Sequence, residues 1–184
     1  MRKVLTRLIV VLLAIYLIFL GSTIVFKNVL FPREYSTYVQ EYSAKYDLSP
    51  NLVYAVMKTE SNFNPDAQSD VGAKGLMQIT DSTGKWIAEQ IGITNFNSSM
   101  LKDPQTSIEF GCWYLEDLYQ QYGSWDLVIA AYNAGRGNVD SWLSNGDYSK
   151  DGSLSYIPFG ETDKYVKKVD VFEQIYTALY GNDN

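Results

Sequence analysis

Hydrophobic and polar positions fall into two regimes along this chain. From Leu8 to Phe26 run 19 consecutive uncharged, mostly apolar residues. As a helix rising about 1.5 Å per residue they would reach roughly 28 Å, close to the thickness of a bilayer core. Beyond Lys27 the apolar residues recur at helical spacing between polar ones. Ser49 is a candidate N-cap, Pro50 suits a first helical position, and Leu52, Val53, Val56 and Met57 form a stripe that predicts a helix to about Glu60. Asn62, Asn64, Pro65, Asp66, Ser69 and Asp70 then break the period, so residues 61–74 read as a loop. A shorter helix is predicted over 81–91. A clearer one begins with Asp103 as N-cap and Pro104 behind it, and carries Ile108, Cys112, Leu115, Tyr119 and Tyr122 in register. Another starts at Ser124, runs through Val128, Ile129 and Tyr132, and stops at Gly135, which can take the positive φ of a C-cap. The last follows Thr162, with Tyr165, Val169, Phe172, Tyr176 and Leu179 on one side and Gly181 after its end. No stretch alternates convincingly as a strand, so the expected class is mainly α: one helical domain after one N-terminal transmembrane helix.

Arg2, Lys3 and Arg7 precede the apolar run, and the positive-inside rule then puts the short N-terminus in the cytoplasm and everything after Lys27 outside. The run exceeds a signal-peptide core of about 7 to 15 residues, and no clear A-x-A site follows it. An uncleaved anchor is therefore favoured over a removed leader, and both readings export the domain. The expected organisation is a cytoplasmic stub and transmembrane anchor over 1–26, a juxtamembrane stalk over 27–46 and a catalytic domain over 47–184.

Composition narrows the chemistry by what is missing. With no histidine the chain cannot run a Ser-His-Asp or Cys-His relay. Its single cysteine, Cys112, forbids an internal disulfide and makes a zinc site improbable, so no metal and no cofactor are expected. General acid-base chemistry must rest on Asp, Glu, Lys or Tyr. Setting aside Arg2, Lys3 and Arg7 leaves 12 basic against 21 acidic residues, a formal charge of −9 on the exported part. That argues against nucleic acid as a partner, which wants a basic face. Fifteen Tyr, 8 Phe and 4 Trp supply rings for a core or for stacking on sugars, and composition does not separate the two.

Glu60 stands where an apolar-striped helix meets a loop. A carboxylate there faces the negative end of the helix dipole, which together with apolar neighbours such as Val56 and Phe63 pushes a carboxyl pKa upward. A solvated Glu at a frayed helix end is the bland alternative, and physics alone favours it. Its neighbours change that balance. Glu60-Ser61-x-Phe63-x-Pro65, then Ser69-x-Val71-Gly72-Ala73-x-Gly75-Leu76-Met77-Gln78-Ile79, then Ala131-Tyr132-Asn133-Ala134-Gly135, then Ile157-Pro158-Phe159-x-Glu161-Thr162-x-x-Tyr165-Val166 occur in order over about residues 40–180. Together these blocks resemble the catalytic domain of the soluble lytic transglycosylases.

The resemblance implies a goose-lysozyme-like helical fold and a groove for the alternating N-acetylglucosamine and N-acetylmuramic acid of peptidoglycan strands. It implies Glu60 as the sole catalytic carboxyl group. Ser69, Met77 and Gln78 match groove residues, Tyr132, Asn133 and Tyr165 match residues around the reacting sugar, and Glu161 matches a supporting carboxylate. Hydroxyls and amides suit a neutral glycan because they bond sugar hydroxyls and N-acetyl groups without adding charge. Capping is the plainer role open to Gln78 and Asn133, and core packing to Tyr132 and Tyr165. The chain departs from the family pattern at Thr80-Asp81, where many members carry Met-Pro, and at Arg136, where many carry Pro. The implied reaction is non-hydrolytic and ends in a 1,6-anhydro sugar. Its rivals are a muramidase in which Asp66, Asp70 or Glu161 positions water, and a wall-binding module without activity. The apolar run and its basic flank set the domain on the outer face of the cell membrane, within reach of the wall; with no recognisable extra wall-binding repeats in the chain, an envelope assembly that needs a local opening is a candidate partner.

Overall fold

A computed structural model describes residues 2–181; the last three positions of the expected catalytic domain, 182–184, lie outside the described residues. These divide into two compact units, one up to Glu34 and one from Tyr35 onward. The first is a helix, α1 (Arg2–Val25), continued by a π-helical turn over Phe26–Leu30. Its window Ile9–Leu30 has a mean hydropathy of 2.8 with none of its residues buried, so it is long and apolar enough to cross a membrane.

The second unit is mainly helical. It comprises α2 (Ser36–Lys45), α3 (Pro50–Glu60), α4 (Asp81–Gln90), α5 (Pro104–Tyr122), α6 (Trp125–Ala134), α7 (Arg136–Leu143) and α8 (Gly160–Tyr180). A 3-10 turn spans Ser98–Lys102, and β1 (Ser149–Lys150) pairs antiparallel with β2 (Ser153–Leu154) in a small hairpin. α3 is buried continuously from Asn51 to Met57, more than its apolar stripe alone requires, because it is enclosed rather than laid on a surface. It packs against α8 and α2, and α6 packs between α5 and α8. Tyr54 of α3 stacks on Tyr176 of α8 at 5.4 Å, and the Asn51 side chain donates to Thr177 Oγ1 and to the Gly181 carbonyl. The start of α3 is thereby fastened to the end of α8, which leaves its other end, Glu60, facing the start of α8.

Most predicted helices appear within a residue or two of their expected bounds, with differences that have local causes. Asp103 caps α5 with its carboxylate, accepting from the Thr106 amide at 2.9 Å. Ser49 and Ser124 occupy N-cap positions without a side-chain cap bond. α2 buries Val39, Tyr42 and Ser43 and packs against α5, so part of the stretch expected as a stalk belongs to the second unit. α7 starts directly after Gly135, which ends α6 at φ +84°. Only Val139 and Trp142 of α7 are buried, a stripe too short to read as a helix from periodicity.

Candidate active site

Glu60 is the last residue of α3, and the residue behind it fixes how the chain leaves the helix. Ser61 Oγ reaches the carbonyls of Met57 (3.1 Å) and Leu76 (2.9 Å), tying the helix end to the far side of the following loop. Asn62 and Phe63 both take left-handed backbone, at φ +48° and +66°, and Phe63 plunges into the core beside Tyr54. The loop then folds back on itself through bridges of Lys74 with Gln68 and with Ile79. Gly75 is required at its crossing point: φ is +75°, and a Cβ there would lie 1.8 Å from the Leu101 carbonyl oxygen.

Around Glu60 three segments converge on an open cavity of about 610 Å³. The loop contributes Ser69 and Gln78, the end of α6 contributes Tyr132 and Asn133, and the start of α8 contributes Glu161. Ser69 Oγ accepts from the Ala73 amide at 3.0 Å, leaving its own proton for a ligand. Gln78, at φ +49°, uses its amide nitrogen to hold the Ala67 and Gly75 carbonyls at 3.2 and 2.9 Å. Its oxygen is the half it can offer to the cavity. Tyr132 donates to the Met77 carbonyl at 2.8 Å and so latches α6 to the loop. Thr162 Oγ1 donates to Asn133 Oδ1 at 2.8 Å, orienting that amide with its nitrogen left to donate.

Two residues singled out in the sequence sit elsewhere. Met77 does not line the cavity: its side chain is fully buried against Gly111, and only its carbonyl takes part, under Tyr132. Tyr165 is also buried, yet its hydroxyl donates to Glu60 Oε1 at 2.5 Å. Asp66 and Asp70 are exposed on the loop and line no part of the cavity. Val71 and Phe159 do line it with strongly exposed apolar side chains. Their presence in the matched blocks was the available signal for them, as it was for Thr162 and Ser61.

Burial pushes the Glu60 carboxyl up to about 7, against the opposing pull of the Tyr165 hydroxyl and the Lys168 charge. Burial, with Glu60 adding to it, pushes the phenols of Tyr132 and Tyr165 well above their ordinary range, so both remain donors. Among the described residues no three His, Cys, Asp or Glu side chains gather as metal ligands. The arrangement joins one carboxyl group that holds its proton near neutral pH to a rim of hydroxyls and amides, with Glu161 as a second carboxyl group on the exposed edge. It can protonate a leaving oxygen and then, as a carboxylate steadied by Tyr165, take a proton back.

The family pattern described as the Transglycosylase SLT domain matches residues 37–154. The soluble lytic murein transglycosylase of Escherichia coli (strain K12) is 36% identical over 156 residues, covering 83% of this chain and 24% of that protein. The membrane-bound lytic murein transglycosylase C of Cronobacter sakazakii is 33% identical over 168 residues, covering 78% of this chain and 46% of that one. Among solved structures, the 70 kDa soluble lytic transglycosylase of Escherichia coli superposes with a TM-score of 0.74 at 35% identity, over 83% of this chain and 25% of that one. An inactive Glu-to-Gln variant of lytic transglycosylase Slt from Pseudomonas aeruginosa gives 0.72 at 33% identity, over 80% and 24%. The fold is thus that of the lytic transglycosylases. This chain spans about a quarter of the length of the soluble relatives it matches.

Proposed function

Because the chain belongs to the transglycosylase SLT domain family, we propose that it cleaves the glycan strands of peptidoglycan without water, at the β-1,4 bond between N-acetylmuramic acid and N-acetylglucosamine. The observation that carries this reading is Glu60: a single carboxyl group pushed up to about 7 and held by Tyr165. Glu60 gives its proton to the bridging oxygen as the bond to the anomeric carbon breaks. The resulting carboxylate then takes the proton of the muramic acid 6-hydroxyl, whose oxygen bonds to the same anomeric carbon. The proton returns to Glu60 and no water is consumed. An internal nucleophile gains effective molarity that bulk water lacks. Ser69, Gln78, Tyr132, Asn133 and Glu161 hold the strand in this reading, and Met77 acts through its buried carbonyl.

Glu161 is the one observation that favours a second reading. It lines the same cavity, and hydrolytic glycosidases use two carboxyl groups. Digestion of purified wall in heavy-oxygen water separates the two. The proposal expects unlabelled muramic acid ends, lighter than hydrolysis products by one water. Labelled ends that disappear in Glu161→Gln would make the enzyme a muramidase, and intact wall would make it a binding module.

We also propose that α1 is a single-pass anchor holding residues 35–184 on the outer face of the cell membrane, within reach of the wall. The window Ile9–Leu30, the preceding basic residues and the resemblance to a membrane-bound relative support it.

A further inference from the structure

The loop that carries Ser69 and Gln78 is organised around one residue. Lys74 is the middle of three paired positions, with Gln68 on one side and Ile79 on the other. Its amide donates to the Ile79 carbonyl at 3.0 Å, and the Ile79 amide donates back to the Lys74 carbonyl at 3.1 Å. On the Gln68 side the Ser69 amide donates to the Ala73 carbonyl and the Gly75 amide to the Ala67 carbonyl, each at 3.0 Å. Ser69, Ala73, Gln78 and Thr80 all line the Glu60 cavity, and each is the immediate chain neighbour of one of the three paired positions.

The Lys74 side chain leaves the loop and fastens it to two other elements. Its Nζ pairs with the Asp81 carboxylate and donates to Ser98 Oγ at 3.3 Å. Asp81 opens α4 and Ser98 opens the 3-10 turn. Only 14% of the Lys74 side chain is exposed, against 56% for Asp81. A pair with one partner so exposed adds little to global stability. What it supplies is local: a tether at the middle of three paired positions restrains the tilt and slide of the segments on both sides of it. The device belongs to this chain, because many members of the family carry a proline where Asp81 stands, and a proline has no carboxylate to offer.

We propose that Lys74 is a positioning residue for the Glu60 cavity: clamped to Asp81 and Ser98, it sets where Ser69 and Gln78 stand against the strand. The inference rests on the reading of that cavity as a glycan-cleaving site. Neither Lys74 nor Asp81 lines the cavity, so both act through the loop and touch no reacting atom.

The test is a double-substitution cycle on the full-length enzyme in detergent, with the release of soluble fragments measured against the concentration of purified wall. In Lys74→Met and in Asp81→Ala, kcat/KM is expected to fall about tenfold, mainly through a rise in KM. The pH midpoint of the rate should stay where it is in the parent, because Glu60 and Tyr165 are untouched. The double variant should lose no more than either single one, since the two side chains act as one device. Lys74→Arg, which keeps the charge and the reach, should stay within a few-fold of the parent. Thermal melts of every variant should lie close to the parent's. Losses that multiply in the double variant, or that only follow a fall in melting temperature, overturn the positioning role. So does a Lys74→Met enzyme as active as the parent. If Lys74→Met fails to fold, Asp81→Ala alone decides, and unchanged kinetics there overturn the proposal. If the parent itself leaves purified wall intact, the glycan reading of the Glu60 cavity falls and takes this inference with it.

Discussion

The proposed mechanism puts two opposed demands on Glu60, holding a proton at neutral pH and tolerating ionisation after it has given that proton away. Burial meets the first and the Tyr165 hydroxyl the second. The same balance sets the sign of its stability effect. The folded carboxyl is pushed up to about 7 from 4.5, so the folded state binds the extra proton between those values. Ionisation of Glu60 then destabilises the fold progressively from about pH 4.5 upward, with the full penalty above pH 7. Glu60→Gln keeps an oxygen to accept from Tyr165 and removes that penalty. The variant is expected to lose at least about 10² to 10⁴ of the wall-lysing rate. It should also be more stable than the parent at pH 8, by at most about 3 kcal/mol and with a correspondingly higher unfolding temperature, and nearly equal to it at pH 4. Thermal melts at the two pH values, with a turbidity assay alongside, check both halves. Activity within a few-fold of the parent would end the assignment of Glu60. For the parent, the acid-dependent rate should fall as pH rises through about 7. In Tyr165→Phe that midpoint should move higher, because the hydrogen bond removed favoured the ionised form. Little of this was legible from the residue alone: a Glu at a helix end is commonly a solvated one. The matched blocks singled it out, whereas its burial and its bond to a tyrosine 105 positions away exist only in the fold. Met77 shows the converse, since a matched residue can serve its site through a backbone carbonyl while its side chain fills the core.

At the scale of elements, helix ends were readable where punctuation was strong. Asp103-Pro104 and Gly181 mark their boundaries by chemistry that acts within four or five residues. α7 escaped because Gly135 ends one helix and begins the next with no linker, a junction that a local stop signal describes only by half. The loop between α3 and α4 was legible as a loop, and its shape was not, because long-range contacts set it. Gly75 shows how strongly. Gly75→Ala would drive a methyl into the Leu101 carbonyl and hold alanine at φ +75°, so a loss of several kcal/mol is expected, at the upper end of single substitutions. Gly137 in α7 has open space around its Cβ position and ordinary φ. Gly137→Ala should therefore leave stability unchanged or raise it by up to about 1 kcal/mol. Denaturant melts of the two variants give the comparison. Equal effects would mean that the loop yields around Gly75, and that the position of Gln78 is not held by this crossing.

For the whole molecule the decisive quantity is charge against reach. Outside Arg2, Lys3 and Arg7 the chain carries a formal −9, so the field of the domain does nothing to draw it towards anionic wall polymers. On the proposed reading, the α1 tether substitutes for that attraction by raising the local concentration of the domain at the wall, provided it leaves the domain on the side where the wall lies. The proposed topology therefore suits the charge balance as well as following from the basic residues at the start of α1, ahead of its apolar run. Protease added to intact protoplasts is expected to remove residues 35–184 from the membrane fraction while cytoplasmic marker proteins survive. Reversing the flanking charges, with Arg2, Lys3 and Arg7 changed to Glu and basic residues placed after Leu30, should protect the domain from protease and abolish wall cleavage in cells. Because the site itself is untouched, activity on purified wall should persist after lysis. A domain that resists protease in intact protoplasts and is digested only once they are lysed would place it in the cytoplasm. The anchor would then have to serve some purpose other than holding this cavity against the wall.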